Sequence, residues 1–314
     1  MKHIVFLTIS AFLLLQCREE ETPIAEVSVL DVAYLTQNSM FVNVLIENIR
    51  PAENILELGV CWSFQQKPTI ENDHFGNNQL LLDFYTLYDL PISGLKAGSS
   101  YYLRPYAATQ DEIVYGEETT IRTEILDSLT DARDGQSYLV KQYGAQTWMV
   151  ENLNYRTEGS YYFENDSVAN AEEYGRLYTF AAAQEACPPG WHLPSDEEWK
   201  ELEMWLGMSI DSVDYIGWRG EEVGNKMKEP GFRLWYDVMY TNATNESGFT
   251  IRPSGELNID AMSFSQTGIF GEFWTSTQES EKAWIRSCQT LGGKVLRYQI
   301  NKSKFACSIR CVKD

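Results

Sequence analysis

The hydrophobic pattern of the chain changes character near its middle. Between residues 27 and 124, apolar and polar residues alternate in short runs such as SMFVNVLIENI, LELGVCWSF and YYLRPYAA, which is the period of half-buried β-strands. Turn-forming segments, among them RPAEN and SGLKAGSS, separate these runs. Strands at this spacing predict a β-sandwich for this part of the chain.

Residues 134–314 combine strand-like and helical patterns. Short β segments begin and end this stretch, and two helices are predicted in YTFAAAQEACP and PSDEEWKELEMWLG. Ser195 and Glu198 have the spacing of a capping box, and Trp199 and Leu202 begin a helical repeat of apolar residues. Few strands, two helices and long loops favour an α+β domain, so the predicted fold class is mainly β plus α+β.

Two further segments flank these domains. The acidic stretch EILDSLTDARDG has no long apolar period, and we assign residues 125–133 to a linker. At the N-terminus, a Lys-His pair precedes an apolar run from Ile4 to Leu15, which is too short to span a bilayer and is typical of a signal peptide. No other run of the sequence is long and apolar enough to be a membrane span.

The N-terminal segment resembles a bacterial lipoprotein signal. Cys17 follows the residues LLLQ, and the resemblance implies a signal peptide over residues 1–17 with Cys17 as the lipidated (palmitate-bearing) residue, although a small residue is usual in place of Gln16. Residues 18–26 form an acidic tether, whose REEETP sequence resembles the signal that directs lipoproteins to the outer face of the outer membrane in Bacteroidetes. The alternatives are an ordinary secretory signal and a plain disordered tether.

Composition and charge narrow the range of partners. The 314 residues are 44% hydrophobic and 22% charged, as in globular proteins and unlike disordered or fibrous ones. The formal net charge of −20 would repel a phosphate backbone, so we expect no nucleic-acid partner. The expected partners are the membrane, through the N-terminal lipid, and an extracellular glycan or surface protein.

The cysteine count fits an oxidising compartment. The six cysteines are Cys17, Cys61, Cys187, Cys288, Cys307 and Cys311. With Cys17 assigned to the lipid, five remain, and an odd number leaves one thiol unpaired. Cys61 is far from the others in sequence, so we expect it to be a buried small hydrophobic residue on a strand. The remaining four allow three pairings.

Both domains resemble known families. Residues 134–314 resemble the Fibrobacter succinogenes major paralogous domain, which has a C-type-lectin-like fold, through DGQSYLVKQYGAQTWMVENLNY, YGRLYTFAAAQEACPPGWHLPSDEEWKEL, ESGFTIRPSGELN, GEFWTST and SIRCVKD. Phe180 and Phe273 replace the usual tryptophans of that family. Residues 27–124 resemble fibronectin type III-like (Ig-like) domains through LGVCWS, KPTIEND and LKAGSSYYLRPYAAT, in which Leu95 and Tyr101 are spaced as in a tyrosine corner.

The resemblance to the lectin-like fold implies a disulfide framework. In that fold the cysteine at the end of the first helix pairs with one in the last strand. Carried over, Cys187 pairs with Cys311, which leaves Cys288 and Cys307 as a nested pair. Cys187 is therefore expected to be structural.

The segment CPPGWHLPSDEEWKEL raises the possibility of Cys-His chemistry. A nucleophile-base pair needs a free thiol beside the imidazole of His192, and the implied disulfide removes it. The similar fold of formylglycine-generating enzymes suggests an oxidase as a third alternative, but the copper-binding cysteine pair of those enzymes has no counterpart once the disulfides form. We expect no enzyme activity.

The sequence gives little indication of a metal site. Three histidines cannot build a His-rich metal site. The Glu-Pro-Asn, Gln-Pro-Asp and Trp-Asn-Asp motifs that hold calcium in C-type lectins are absent. Acidic residues such as Glu221, Glu222 and Asp237 leave calcium open, but no cofactor is predicted.

Aromatic residues supply the predicted ligand site. The stretch from Gly207 to Phe270 and the strands after it are rich in tryptophan and tyrosine, and exposed rings stack on sugars or anchor protein partners. The predicted ligand-binding residues are Trp218, Trp235, Tyr236 and Trp274. The alternative is that these rings form the domain core. The expected function is non-catalytic recognition of an extracellular glycan or protein by an outer-membrane lipoprotein, and the runner-up is a structural subunit of a surface assembly.

Overall fold

A computed structural model describes residues 24–49, 55–78, 86–162, 168–230, 234–236 and 242–314 of the chain. The predicted signal peptide, the predicted lipidation site Cys17 and most of the predicted tether lie outside the described residues. Among the residues described, no helix is long and apolar enough to cross a membrane.

Antiparallel strands form the first part of the chain. They are β1 (Glu26–Ala33), β2 (Ser39–Glu47), β3 (Glu57–Ser63), β4 (Asp73–Asn77), β5 (Thr86–Ser93), β6 (Ser100–Ala108), β7 (Ile113–Tyr115) and β8 (Thr119–Arg122). One sheet has the order β1-β2-β5, and the other has the order β4-β3-β6-β7 with β8 also paired to β6. Every second residue of β2 from Met40 to Ile46 is fully buried, and these side chains pack with Leu58 and Leu103 of the other sheet in one core.

Tyr101 fixes the loop that leads into β6. Its hydroxyl accepts a hydrogen bond from the backbone N–H of Lys96 (2.9 Å), and Leu95 is buried beside it, as the sequence predicted. Further along β6, Tyr106 is fully buried, and Arg104 lies over the ring of Tyr115 with its Cζ 4.6 Å from the centroid. Arg104 and Tyr106, which lie on the same face of β6, therefore do not belong to an exposed aromatic row.

The second part of the chain contains short strands and four described helices. The strands are β9 (Asp127–Thr130), β10 (Ser137–Tyr143), β11 (Gln146–Met149), β12 (Ser160–Tyr161), β13 (Leu177–Thr179), β14 (Trp191–His192), β15 (Gly217–Arg219), β16 (Glu256–Asn258), β17 (Ser263–Ser265), β18 (Phe270–Glu279), β19 (Lys282–Gln289), β20 (Val295–Asn301), β21 (Phe305–Cys307) and β22 (Val312–Lys313). The helices are α1 (Val168–Tyr174), α2 (Phe180–Ala186), α3 (Asp196–Trp205) and α4 (Val223–Met227). Strands are more numerous than predicted, because many are too short to show alternation in the sequence.

Three sheets organise these strands. Their orders are β14-β22-β11-β10-β9, β12-β13-β21-β16-β17 and β15-β20-β19-β18. The predicted linker, residues 125–133, is partly wrong, because β9 lies within it and pairs antiparallel with β10. Three of the four β9 residues are exposed, so this edge strand is held by backbone hydrogen bonds and shows no hydrophobic period in the sequence.

Both predicted helices are present, and the capping box of α3 is confirmed. Ser195 Oγ accepts from the backbone N–H of Glu198 (3.2 Å), and Glu198 Oε2 accepts from the backbone N–H of Ser195 (2.7 Å). Trp199 and Leu202 are fully buried. Helix α3 therefore starts where its sequence signal places it and buries its apolar side.

The cysteines confirm one predicted disulfide and correct the other. Cys187 and Cys311 are bonded, with 5.9 Å between their Cα atoms. The predicted pair of Cys288 and Cys307 is wrong, because both are free, buried thiols. Cys288 packs in the core cluster around Trp199, whereas Cys307 packs in a separate cluster around Trp274. Cys61 is a buried free thiol on β3, as predicted.

A buried ionic network fastens α3 to the sheet of β15, β20, β19 and β18. Glu203 Oε2 lies 2.6 Å from Arg219 Nη2, and its Oε1 accepts from Arg286 Nε (2.8 Å). Asp196 contacts Arg286 and Arg297, each at 2.7 Å. Burial alone would raise the pKa of Asp196, but the bonds from Arg297 and Arg286 lower it to about 2. One face of this sheet therefore packs against α3.

Candidate functional site

The sheet of β15, β20, β19 and β18 leaves part of its other face open. Along β20, Val295 and Arg297 are buried, whereas Leu296 and Tyr298 between and after them are partly exposed. On β15, Arg219 is buried and its neighbour Trp218 is 38% exposed. Successive strand residues point to opposite faces, so the partly exposed residues share the face away from α3.

Strand register aligns one row of side chains across this open face. Trp218 pairs with Leu296, Leu296 pairs with Ser287, and Ser287 pairs with Glu272. We call the set Trp218, Phe270, Glu272, Ser287, Leu296 and Tyr298 the Trp218 face. The row runs from an exposed tryptophan at the edge strand β15 to a buried carboxyl group on β18.

Aromatic rings occupy the exposed end of the Trp218 face. The rings of Trp218 and Phe270 lie 6.4 Å apart between centroids, tilted by 32°. Tyr236 is 68% exposed, and its backbone N–H donates to Gly268 O (2.6 Å). Gly268 lies two residues before Phe270 in the chain, so this bond holds Tyr236 near the exposed end of the face. Gly268 has φ +81°, and a Cβ there would meet the Tyr236 ring at 2.3 Å, so glycine is required at this contact.

A pair of acidic side chains closes the buried end. Glu272 is 5% exposed, its Oε2 has no hydrogen-bond donor among the described residues, and the carboxyl group of Glu256 on β16 is close enough to influence its charge. Burial, reinforced by repulsion from Glu256, raises the pKa of Glu272 to about 8. The hydroxyl of Tyr298 donates to Glu272 Oε1 (3.3 Å). Burial also raises the pKa of Glu256, so both carboxyl groups favour the protonated form more than a free glutamate does.

The structure separates the four predicted ligand-binding residues. Trp218 and Tyr236 are exposed, and their role in ligand binding stays a prediction. Trp274 is fully buried, stacks edge-on against Phe180 at 5.3 Å and donates its indole N–H to a backbone carbonyl. Trp235 is 3% exposed and packs in the α3 core cluster. The prediction that Trp274 and Trp235 contact a ligand is therefore wrong, because both rings form core.

Sequence reasoning missed the other members of the Trp218 face. The run FGEFWTST gives β18, and Glu272 is the charged residue inside it. A carboxyl group within an otherwise apolar strand was the available signal, since buried acids are rare without a partner. Tyr298 and Glu256 carry no such signal, because only the register of β16, β18 and β20 brings them together.

His192 makes two strong contacts that define its role. Its Nδ1 lies 2.7 Å from Asp314 Oδ1, and its Nε2 lies 2.7 Å from Glu198 Oε1. Burial would lower the pKa of His192, but the hydrogen bonds to Asp314 and Glu198 outweigh it and raise the pKa above its ordinary value. Both ring nitrogens are occupied and Cys187 is oxidised, so the two residues do not form a nucleophile-base pair.

The acidic residues considered for calcium have other partners. Glu221 pairs with Lys294 at 2.9 Å, and Glu222 accepts from Asn225 (2.7 Å). Asp237 lies outside the described residues. In the described part of the chain, no group of three or more His, Cys, Asp or Glu side chains is placed to hold a metal ion.

Comparison with known proteins identifies one matching family. The family model described as Fibrobacter succinogenes major domain matches residues 141–313, which is more than half of the chain. No curated protein sequence matches the chain.

Similar solved structures include the sensor domain of the anti-sigma factor RsgI4 in Pseudobacteroides cellulosolvens. Its longer form is 14% identical, with a TM-score of 0.26, and the match covers 34% of this chain and 97% of that one. Its shorter form is 12% identical, with a TM-score of 0.24 and coverages of 33% and 98%. A solution structure of the same domain is 12% identical, with a TM-score of 0.26 and coverages of 36% and 84%.

Proposed function

The chain belongs to the Fibrobacter succinogenes major domain family, and from that premise we propose that it is a non-catalytic recognition protein which binds an extracellular glycan through the Trp218 face. The observation that carries the proposal is the aligned row in which an exposed tryptophan, backed by Phe270, leads to the buried acid Glu272 and its partly exposed neighbour Glu256. We further propose that a lipid on Cys17 anchors the protein in the outer membrane, on the evidence of the N-terminal sequence.

The aromatic end of the face suits a sugar ring. Apolar C–H faces of sugars stack on tryptophan, and a ring fixed on a strand loses little conformational freedom on binding. Trp218 is held by its pairing with Leu296 and by the Phe270 ring. Tyr236 provides a second exposed ring, carried by the contact with Gly268.

The polar end supplies hydrogen bonds. Glu256 is partly exposed, and its carboxyl oxygens are acceptors for sugar hydroxyl groups. The Ser265 hydroxyl lies 3.5 Å from Glu256 Oε1 on the neighbouring strand β17. An apolar platform beside a few fixed polar groups is the usual composition of a small-ligand site.

Fold details support a finer assignment. We propose that residues 134–314 adopt a C-type-lectin-like fold, which is supported by the disulfide from the end of α2 to Cys311. We propose a fibronectin type III-like spacer for residues 27–124, supported by the bond between Lys96 and Tyr101. The oxidase alternative is disfavoured because Cys288 and Cys307 lie in separate core clusters.

A protein ligand is the second candidate. Tyr215 and Ile216 precede the Trp218 strand and are 65% and 72% exposed. Exposed aliphatic and aromatic side chains that directly precede an edge strand are typical of protein contacts. This observation favours a subunit of a surface assembly over a chain with no partner.

A glycan array tests the proposal with matched tryptophan variants. The mature protein would be screened with and without calcium, as wild type, Trp218→Ala and Trp205→Ala. Trp205 is 54% exposed on α3 and serves as the control. We expect selective binding that falls by about tenfold or more in Trp218→Ala and is unchanged in Trp205→Ala.

Two outcomes would contradict the glycan proposal. Equal binding by Trp218→Ala would remove the Trp218 face from recognition. A blank array, together with capture of one surface protein that depends on Trp218, would replace the glycan with a protein ligand.

A further inference from the structure

A separate cavity of about 720 Å³ lies beside β12 and shares no residue with the Trp218 face. Its lining includes Arg156, Ser160, Tyr162, Arg176, Met262 and Phe264. The volume is in the range of pockets that hold small organic ligands. The polar groups of this lining determine what it can hold.

Arg176 is a buried cation, and one of its three donor nitrogens has no acceptor among the residues that the structure describes. Its side chain is 3% exposed, its Nε donates to Ser160 Oγ (3.0 Å), and its Nη2 donates to Ser160 O (3.2 Å). Its Cζ lies 3.5 Å from the centroid of the Tyr162 ring. The buried Nη1 has no hydrogen-bond acceptor in the described part of the chain.

The orientation of this guanidinium group is fixed in advance. Ser160 Oγ donates to Thr157 O (2.6 Å) and accepts from the backbone N–H of Thr157 (2.9 Å) as well as from Arg176 Nε. The hydroxyl group has used its one proton and both lone pairs, so it cannot rotate to satisfy Nη1. An acceptor for Nη1 must come from outside this cluster.

The charge of the lining favours an anion. Two arginines, Arg156 and Arg176, and one carboxylate, Glu158, line the cavity, although the chain as a whole has a formal charge of −20. Burial of Arg176 weakens solvent screening and strengthens its attraction for a carboxylate. Met262 on the same wall is 58% exposed and unbranched, so it can move aside for a ligand.

We propose that this cavity binds a carboxylate-bearing sugar, of the hexuronic acid class, with the carboxylate on Arg176 and the sugar ring against the aromatic wall. Tyr161, Tyr162 and Phe264 provide that wall. Arginine forms planar paired hydrogen bonds with a carboxylate, and aromatic rings stack on the sugar. The site does not depend on the Trp218 face.

The test is a titration of the whole mature protein with galacturonic acid, galactose and inorganic phosphate. Galacturonic acid differs from galactose in a carboxylate that replaces a hydroxymethyl group. The readout is the NMR signal of the Arg176 Nε–H group. We expect galacturonic acid to shift this signal saturably, galactose to leave it in place, and phosphate to bind about tenfold more weakly because it lacks the ring.

Variants locate the binding. Arg176→Gln and Arg156→Gln should weaken galacturonic acid binding, by about tenfold for the buried residue, measured calorimetrically. Arg122→Gln on β8, an exposed arginine elsewhere, and Trp218→Ala should leave it unchanged. If Arg176→Gln does not fold, Arg156→Gln and the weakening of wild-type binding by added salt carry the test.

The results that overturn the proposal are specific. Absence of any shift with galacturonic acid, or unchanged affinity in Arg156→Gln and at high salt, rules out the anion site. Phosphate that binds as tightly as galacturonic acid rules out the sugar and leaves a simple anion site. A loss of galacturonic acid binding in Trp218→Ala would place that ligand on the Trp218 face.

Discussion

Glu203 and Arg219 form an ion pair 2.6 Å long in which neither side chain reaches solvent. The second oxygen of Glu203 accepts from Arg286, which also contacts Asp196. Three buried arginines therefore share two buried carboxylates on α3. Buried charges are tolerated only when they are paired, so each carboxylate holds the helix and the sheet together.

Glu203→Gln should lower the free energy of unfolding by about 3–5 kcal/mol, because it leaves Arg219 and Arg286 without their buried counter-charge. Urea unfolding at neutral pH measures this change. Glu246→Gln is the control, since its ion pair with Lys226 is partly exposed and should be worth at most about 1 kcal/mol. Similar small losses in both variants would contradict the assigned role of the network.

Removing the disulfide with Cys187→Ser and Cys311→Ser should lower the free energy of unfolding by about 4 to 5 kcal/mol in the chain-entropy model. The bond closes a loop with a sequence separation of 124, which restricts the unfolded chain strongly. Urea unfolding of the double variant against wild type measures the loss. An unchanged unfolding midpoint would show that the bond does not constrain the unfolded state.

Cys61, Cys288 and Cys307 should all react with iodoacetamide once the protein is unfolded without reductant. Cys61, Cys288 and Cys307 are buried free thiols, so unfolding alone exposes them. Peptide mass spectrometry would identify the labelled residues. A peptide in which Cys288 and Cys307 are linked would overturn the structural assignment.

Trp274→Ala should destabilise the protein by about 3–5 kcal/mol, whereas Trp218→Ala should cost about 1 kcal/mol or less. Trp274 fills the core between β18 and α2, and Trp218 contacts Phe270 at an open surface. Urea unfolding of both variants provides the measurement. Equal losses would mean that Trp218 is also part of the core.

Local signals in the sequence predicted those elements that are determined by residues close together in the chain. The Ser195 and Glu198 pair marked the start of α3, and the alternation in SMFVNVLIENI marked β2, because both are set within a few residues. Family resemblance supplied the Cys187 to Cys311 bond, which no local signal encodes.

The candidate site depends on contacts between distant segments, and sequence could not supply them. Trp218 and Trp274 are both tryptophans in β runs, yet a covering sheet buries only Trp274. Glu256 and Glu272 meet because β16 lies beside β18, which spacing along the chain does not reveal. The free Nη1 of Arg176 likewise depends on how Ser160 is already bonded.

His192 should make stability depend on pH above its unfolded pKa. Its folded pKa is raised above the unfolded value of about 6.5, so its stabilising contribution is fully present below that value and is lost as pH rises through the folded pKa. The difference in urea midpoint between wild type and His192→Gln should therefore shrink with rising pH. Asp314→Asn should lower the pKa of His192 measured by NMR, and an unchanged pKa would contradict the contact.

Glu272 should weaken the folded state as pH rises. The unfolded pKa of glutamate is about 4.3, whereas burial and Glu256 raise the folded pKa of Glu272 to about 8. The stabilising contribution is fully present below the unfolded value and is lost as pH rises through the folded value, because over this range the unfolded state ionises whereas the folded state keeps the proton on its buried carboxyl group. The urea midpoint of Glu272→Gln should change less with pH than that of wild type over this range. Above about pH 8 the variant should have the higher midpoint of the two.

Neighbouring variants decide whether the Glu272 carboxyl group itself titrates. Glu256→Gln removes the repelling charge and should move the loss of stability to lower pH, whereas Tyr298→Phe removes a hydrogen bond that favours the ionised form and should move it to higher pH. Shifts in opposite directions would identify Glu272 as the group responsible. If both variants followed the wild-type curve, the pH dependence would belong to another group, and Glu272 would not keep its proton near neutral pH.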